Sequence, residues 1–209
     1  MYNKYFKRCI DIVLSLLGLI LASWLYLIII IAIKIDDPGP MFFTQKRVGK
    51  DKKIFKLYKF RSMKMSTPHD TPTHLLENPE QYITRVGRFL RKSSLDEIPQ
   101  LWNILKGDMS VIGPRPALWN QDDLIEEREK YGANGLRPGL SGWAQIRGRD
   151  ELKIEDKAKL DGEYVQKMSF LFDCRCFFCT VISVFKGDGV LEGGTGNTET
   201  RETVNTSRK

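Results

Sequence analysis

Two adjacent carboxylates, Asp96 and Glu97, are the residues of this 209-residue chain whose types and spacing best suit catalysis. With Ser94 they form a capping-box pattern, which predicts the start of a helix. Acids in a first helical turn often serve only to stabilise the helix dipole. The same positive helix end, aided by Arg88 and Arg91 upstream, would keep Asp96 ionised and able to attack phosphorus. Glu97 would then offer hard oxygen ligands to Mg²⁺.

Two further stretches carry cations that could contact phosphate. Arg115 lies between Pro114 and Pro116, which restrict its backbone, and its guanidinium could grip a phosphate through two parallel hydrogen bonds. The tetrapeptide Gly113-Pro114-Arg115-Pro116 could instead be only a structural turn. Lys59 and Arg61 stand at the end of a predicted strand. They are either phosphate-facing cations or part of an ordinary solvated strand edge.

The elements that would position these residues follow from hydrophobic patterning. Alternating stretches at residues 41–48 and 54–60 flank a polar turn and predict a β-hairpin. Apolar residues at helical spacing over residues 95–105 predict a helix, and residues 123–131 predict a charged helix. Glycine-rich residues 137–148 are interpreted as a turn region. The predicted fold class is α+β and mainly helical.

An uncharged apolar run occupies residues 12–33, which is enough helix for about 33 Å. Basic residues flank it on both sides, and positive residues favour the cytoplasmic side of a membrane. A straight single-span anchor satisfies only one of these ends, although hydropathy alone favours it. A helix that bends near Ser23-Trp24 and leaves by the same face satisfies both, and the Ser23 hydroxyl could assist the bend by bonding a backbone carbonyl.

Two clusters of metal-ligating residue types stand outside the carboxylate pair. Cys174, Cys176 and Cys179 could hold zinc or an iron–sulfur cluster. They alternate with phenylalanines and lack a convincing fourth ligand, so we interpret them as small buried hydrophobic residues. The apolar stretch around them, residues 169–185, could also be an interfacial helix against lipid. A second metal site, in a proline-rich loop without a rigid scaffold, is not favoured; its ligands would be His69, Asp70 and His74.

The charge balance suits an anionic partner, because the net charge is +7 and residues 46–61 hold eight basic residues and one acid. A membrane-tethered basic module for nucleic acid or acidic lipid is therefore a rival hypothesis. No nucleic-acid-binding motif is present, and that hypothesis leaves Asp96-Glu97 unexplained. We expect no nucleic-acid partner. The clustered cysteines favour a reducing compartment.

Taken in order, these stretches resemble the small monotopic phosphoglycosyl transferases, also called bacterial sugar transferases. The resemblance covers about residues 3–190, and its central motif is highly specific. The matching segments are SLDEIPQLWN at 94–103, LKGDMS at 105–110, GPRP at 113–116, KFRSM at 59–63, RPGLSGWAQ at 137–145 and DGEYV at 161–165.

The resemblance implies a reaction and a role for each candidate residue. Asp96 would attack the sugar-bearing phosphate of a UDP-sugar, release UMP and carry a covalent glycosyl-phosphoaspartate until polyprenyl phosphate takes the phosphosugar. Glu97 would bind Mg²⁺, and Arg115 would hold a phosphate. The full set of candidate catalytic residues argues against a degenerate transferase kept as a scaffold. The remaining substrate-binding candidates are Arg88, Lys59, Arg61 and Pro114.

The resemblance also implies an architecture and a location. Residues 1–37 would form a re-entrant membrane helix, which the family breaks at a Ser-Pro pair where this sequence has Ser23-Trp24. Residues 38–186 would form a catalytic domain with the β-hairpin and interfacial amphipathic helices. Composition alone, rich in Gly, Thr and Glu, predicts a flexible polar tail at residues 187–209. The protein would lie in membrane lipid on the cytoplasmic face of a bacterial inner membrane, and a homo-oligomer is compatible with the sequence.

Overall fold

The computed structural model describes residues 2–67, 78–148 and 152–186. The chain is mostly helical, with an antiparallel hairpin and a second, very short pair of strands. The loop of His69, Asp70 and His74 and the tail at 187–209 lie outside the described residues. The helices are α1 (Lys7–Asp36), α2 (Arg85–Lys92), α3 (Gln100–Lys106), α4 (Asp122–Glu129), α5 (Trp143–Arg147), α6 (Ile154–Lys167) and α7 (Phe170–Lys186).

The apolar run lies within α1, a 30-residue helix preceded by a π-helical turn, Tyr2–Phe6. Among the described residues it is the one helix long and apolar enough to cross a membrane. The Ser23 hydroxyl donates to the carbonyl of Ile20, as the sequence suggested, and α1 is helical throughout. This long apolar helix is compatible with a monotopic membrane protein. Its exposed apolar side chains include Ile12, Val13, Leu14, Leu16, Leu17, Ile20, Leu21, Trp24, Leu27, Ile28, Ile31 and Ile35.

Polar residues near the start of α1 bind the rest of the protein. Arg8 donates to the carbonyls of Ile104 (2.6 Å) and Leu105 (2.8 Å) in the last turn of α3. The Asp11 carboxylate accepts from the backbone N–H of Val111 at 2.9 Å. These bonds place the first turns of α1 against the elements that follow the candidate carboxylates.

The far end of α1 is bound to the same body. An oxygen of Asp36 accepts from the N–H of Val86 at 2.8 Å, in the first turn of α2. In the turns of α1 that precede Asp36, Ile29 and Ile33 are buried in one hydrophobic cluster with Phe60 and Leu90. The last turns of the apolar helix therefore pack against the protein, and both of its ends are bound to it, while much of its apolar surface stays exposed.

The predicted β-hairpin is confirmed. Strands β1 (Phe42–Val48) and β2 (Ile54–Phe60) pair antiparallel, with Phe42 opposite Phe60 and Val48 opposite Ile54. Phe55 and Leu57 on β2 are buried against α3, in a cluster with Ile104 and Met109. Because side chains alternate along a strand, Lys59 lies on the same face as Phe55 and Leu57.

The start of α3 differs from the capping-box prediction. Ser94 has a left-handed backbone (φ 57°) and makes no side-chain cap, and Leu95–Glu97 form a single 3₁₀ turn before α3 begins at Gln100. An N-cap residue needs an extended backbone to accept from the helix, and Ser94 does not have one. The Glu97 side chain instead accepts hydrogen bonds from Lys59 and Arg115, which lie on other elements. The prediction of a capping box was wrong.

The glycine-rich region contains a strand that the sequence did not predict. β4 (Gly139–Ser141) pairs in parallel with β3 (Ser110–Ile112). A Cβ atom at Gly139 would collide with the backbone of Gly113, so this close approach requires glycine. The pair therefore fixes the point at which the Gly-Pro-Arg-Pro segment leaves β3.

The cysteine-rich stretch lies on α7. Cys176 is fully buried with Ile112, Trp143 and Tyr164, which is the packing role expected for it. Cys174 and Cys179 are half-buried. Within the described segments, no group of three or more His, Cys, Asp or Glu side chains is placed to hold a metal ion. The opposite face of α7 exposes apolar side chains, namely Phe170, Leu171, Phe177, Phe178, Val181 and Ile182.

Candidate active site

Asp96 lies in the 3₁₀ turn between α2 and α3, with only 8 % of its surface exposed. Its Oδ2 is 3.8 Å from the ammonium of Lys59. Burial raises the pKa of Asp96 above its ordinary value, and the neighbouring charge of Glu97 adds to this effect. Lys59, Arg91 and Arg115 act in the opposite direction without reversing it. Asp96 is therefore a buried carboxylate whose ionisation depends on nearby cations.

Glu97 is held in the opposite electrostatic state. Its Oε1 accepts from Lys59 Nζ at 2.7 Å and from Arg115 Nη2 at 3.1 Å. Burial by itself would raise the pKa of Glu97, but these two cations outweigh it and hold the pKa well below its ordinary value. Glu97 is therefore ionised at any pH where the protein would work, while its neighbour Asp96 is the harder group to ionise.

An asparagine on α3 aligns the helix with the strand that carries Lys59. Asn103 is fully buried; its Oδ1 accepts from the N–H of Tyr58 at 3.0 Å, and its Nδ2 donates to the carbonyl of Lys56 at 2.8 Å. These bonds satisfy groups of β2 that face α3. Sequence analysis did not single out Asn103. The feature of the sequence that could have identified it is a polar side chain within an apolar helical pattern.

The sequence named two arginines of α2 with Asp96, Arg88 and Arg91, and only Arg91 is seen to influence the pKa of that carboxylate. The sequence predicted that both arginines would help to keep Asp96 ionised. Arg91 does act to lower the pKa of Asp96, but burial holds that pKa above its ordinary value. Arg88 Nη2 instead lies 3.5 Å from Glu80 Oε2, and both of those side chains are largely exposed. The sequence pointed to Arg91 as an influence on Asp96 but not as a substrate-binding candidate.

Arg61 and Pro114 are placed in supporting positions. The Arg61 guanidinium is buried and binds the end of α1, with Nη1 3.0 Å from Oδ2 of Asp37 and Nη2 donating to the carbonyl of the same residue. Pro114 is buried, and its carbonyl accepts from the N–H of Gly139 at 2.8 Å. The cations that contact the carboxylates are thus Lys59 and Arg115, and the charge of Arg91 also acts on Asp96.

The donor set suits a magnesium ion that is shared with substrate. Mg²⁺ prefers oxygen ligands and is usually bound by one or two carboxylates together with substrate phosphates and water. Asp96 and Glu97 supply two adjacent carboxylates, and Glu97 is ionised. Lys59 and Arg115 both contact Oε1 of Glu97. Neither of these two contacts involves Oε2, the oxygen that a metal ion could bind. Glu97 is therefore the residue that would hold the metal, and Asp96 beside it would stay free to react.

Three cations around two carboxylates form a site for an anionic group. Lys59, Arg91 and Arg115 all favour negative charge at Asp96, so they would also offset the charge of a phosphate that entered beside it. A buried carboxylate at the same place is a candidate nucleophile. The fold and the site together are those of a phosphate-handling protein built around an apolar N-terminal helix.

Comparison with known proteins gives the family. Residues 2–187 match the family described as "Bacterial sugar transferase", and the chain belongs to this family. It is 42 % identical over 192 residues to the "UDP-glucose:undecaprenyl-phosphate glucose-1-phosphate transferase" of Escherichia coli (strain K12), covering 88 % of this chain and 40 % of that protein. It is 36 % identical over 202 residues to the "Undecaprenyl-phosphate galactose phosphotransferase" of Salmonella typhimurium, covering 90 % of this chain and 42 % of that one.

A relative of similar length is also known. The "Uncharacterized sugar transferase EpsL" of Bacillus subtilis is 39 % identical over 186 residues, which are 89 % of this chain and 90 % of that protein. The chain spans about two fifths of the length of the Escherichia coli and Salmonella relatives that it matches.

Proposed function

We propose that this protein transfers a phosphosugar from a UDP-sugar to a polyprenyl phosphate such as undecaprenyl phosphate and releases UMP. The observation that carries the proposal is the buried Asp96 beside an ionised Glu97, with Lys59 in contact with both carboxylates. Relatives named for transfer of glucose 1-phosphate or galactose phosphate to undecaprenyl phosphate support the acceptor and the reaction class. The product would begin a surface polysaccharide or another glycoconjugate.

In the first step, a carboxylate oxygen of Asp96 attacks the sugar-bearing phosphorus. A P–O bond forms to Asp96, the bridging P–O bond to the second phosphate breaks, and UMP leaves with that oxygen. The attack needs ionised Asp96, so Lys59 and Arg91 assist by favouring its charge. Arg115 and Lys59 offset negative charge on the phosphate. Mg²⁺ held at Glu97 would supply further charge neutralisation at the phosphate oxygens.

In the second step, an oxygen of polyprenyl phosphate attacks the phosphorus of the glycosyl-phosphoaspartate. The Asp96–phosphorus bond breaks, which returns the carboxylate and releases a polyprenyl diphosphosugar. Dividing the transfer in this way lets a soluble donor and a membrane-embedded acceptor use one site in turn. The same cations would serve both steps, because each passes through a phosphorus carrying negative oxygens.

The reaction can be tested with purified membranes, Mg²⁺, polyprenyl phosphate and a panel of UDP-sugars, with UMP release as the readout. One or a few UDP-sugars should give UMP, and trapped protein should carry a phosphosugar on Asp96 by mass spectrometry. Asp96→Asn should be inactive while still membrane-bound. Release of UDP instead of UMP would mean ordinary glycosyl transfer and would overturn the mechanism.

We also propose that α1 enters and leaves the membrane by the cytoplasmic face. A straight 30-residue helix is about 45 Å long, which exceeds the hydrocarbon thickness of a bilayer. Yet Arg8 and Asp11 near one end and Asp36 at the other bind the same body, which supports a location of both ends on one side. The exposed apolar face of α7 supports an interfacial position for that helix.

Cysteine labelling tests this arrangement. In a background without the native cysteines, Phe6→Cys and Lys50→Cys place one thiol at each flank of α1, and both of the replaced side chains are exposed. A membrane-impermeant maleimide should label both positions in inside-out vesicles and neither in right-side-out vesicles. Labelling of the two positions from opposite sides would restore a straight anchor.

A further inference from the structure

The loop that carries Arg115 is held by backbone hydrogen bonds at both of its ends. Where it leaves β3, the N–H of Gly113 donates to Ser141 and the N–H of Gly139 donates to Pro114, each at 2.8 Å. At the other end, the N–H of Val48 in β1 donates to the carbonyl of residue 117 at 2.9 Å. The central residues, 115 and 116, lie between these two attachments.

A side chain of the β-hairpin holds this central part. Arg47 donates from Nη1 to the carbonyl of Pro116 at 3.0 Å and from Nη2 to Oε1 of Gln45 at 2.7 Å. Prolines have no N–H, so Pro114 and Pro116 contribute only acceptors to the loop. A donor from another element is therefore needed to fix the carbonyl that follows Arg115.

We propose that Arg47 is a positioning residue of the transferase site, which acts through Pro116 to hold Arg115 against Glu97. This inference rests on the proposed function, because it assigns Arg47 a role in that reaction. The same hairpin then sets both cations of Glu97: β2 carries Lys59 directly, and β1 fixes the loop that carries Arg115. Both cations reach the same oxygen, Oε1 of Glu97.

The distances explain why such support matters. Arg115 Nη2 lies 3.1 Å from Oε1 of Glu97, which is near the long end of the range for an N–H···O hydrogen bond. A displacement of the loop by about 1 Å would break this contact, and misplacements of that size can lower catalytic rates by about a hundredfold. Loss of Arg47 should thus weaken the reaction without removing any group that contacts phosphate.

A double-mutant cycle tests the inference in full-length protein in membranes. Arg47→Met should lower kcat/KM for UMP release by about tenfold to a hundredfold. In an Arg115→Met background the same change should cost less than about twofold, because the residue through which it acts is already gone. Lys46→Met, which removes an exposed cation from the same strand, should leave kcat/KM unchanged. Equal losses in both backgrounds would indicate a general structural role and would overturn the inference.

Hydrogen–deuterium exchange gives a second readout that does not depend on turnover. The amides of Arg115, Ala117 and Leu118 should exchange faster in Arg47→Met than in the unaltered protein and in Lys46→Met, with unchanged exchange in α3. Unchanged exchange in the loop would overturn the inference whatever the kinetics show. If the unaltered protein released no UMP from any UDP-sugar, the proposed function would fail, and the exchange result would still decide whether Arg47 holds the loop.

Discussion

The ammonium of Lys59 lies 2.7 Å from Oε1 of Glu97, at the end of the buried face of β2. The same ammonium is 3.8 Å from the carboxylate of Asp96. Lys59 acts to lower the pKa of both acids. At Glu97, Lys59 and Arg115 together outweigh burial, whereas at Asp96 burial still raises the pKa. This difference fits the proposed roles, in which Glu97 binds the metal ion and Asp96 is the nucleophile.

Replacing Lys59 by methionine should move the pH dependence of the reaction. Lys59 is the largest influence that lowers the pKa of Asp96, so its loss raises that pKa further. Since attack needs ionised Asp96, the acid limb of kcat/KM should shift to higher pH, and kcat/KM at neutral pH should fall by about tenfold or more. Lys56→Met removes an exposed cation from the same strand and should leave the limb in place. An acid limb unmoved by Lys59→Met would contradict this account.

Asp96→Asn should make the protein more stable while abolishing its activity. The folded-state pKa of Asp96 is raised, so the ionised side chain destabilises the fold above that pKa, and a neutral amide relieves this cost. The melting temperature of Asp96→Asn should exceed that of the unaltered protein at pH 8. The gap should close as the pH falls below the unfolded-state pKa of about 3.9, where the aspartate is neutral in both states. A lower melting temperature at pH 8 would count against a strained, buried carboxylate.

Glu97→Gln should raise the magnesium requirement. Glutamine keeps the shape of the side chain but loses the negative charge that would attract the ion. We expect EDTA to stop UMP release by the unaltered protein and the Mg²⁺ concentration for half-maximal release to rise by about tenfold or more in Glu97→Gln. Glu126→Gln, on the exposed face of α4, is the matched control. An unchanged Mg²⁺ titration would remove Glu97 from the metal site.

Arg128→Met should destabilise the fold without touching the proposed chemistry. Asp161 is 1 % exposed, and its Oδ2 is 2.7 Å from Nε and 2.6 Å from Nη2 of Arg128, which joins α6 to α4. Removing one partner leaves a buried charge unpaired, at a cost of about 3–5 kcal/mol. Thermal or denaturant unfolding would measure it. Lys130→Met breaks an exposed ion pair on the same stretch and should lower the free energy of unfolding by no more than about 1 kcal/mol. Equal losses in the two variants would show that the buried ion pair stabilises the fold no more than the exposed one.

Much of the fold was predictable because it depends on local patterns. The long apolar run predicted α1, and two alternating stretches around a polar turn predicted the hairpin with nearly the observed bounds. The adjacency of Asp96 and Glu97 likewise pointed to the site. The strand pair β3–β4 was not predictable in this way, because each strand has three residues and their pairing joins segments 29 residues apart.

Other departures arise where tertiary contacts override a local signal. Ser94 and Glu97 form a capping box by sequence, but Glu97 gains two cations by turning toward β2 and the loop of Arg115. Arg88 and Arg91 are three residues apart on one short helix, yet the charge of Arg91 acts on Asp96 whereas Arg88 pairs with Glu80. Arg61 finds its partner in Asp37, 24 residues upstream, which no local pattern indicates.

The burial of Ile29 and Ile33 beside Phe60 and Leu90 bears on how this protein can be handled. A truncated chain that began after α1 would expose Phe60 and Leu90, which pack against the helix, to water. Solubilising the enzyme by deleting its apolar helix should therefore yield an unfolded or aggregating product. A detergent or nanodisc that shields the helix in place is the preparation in which the carboxylates and their cations should stay assembled.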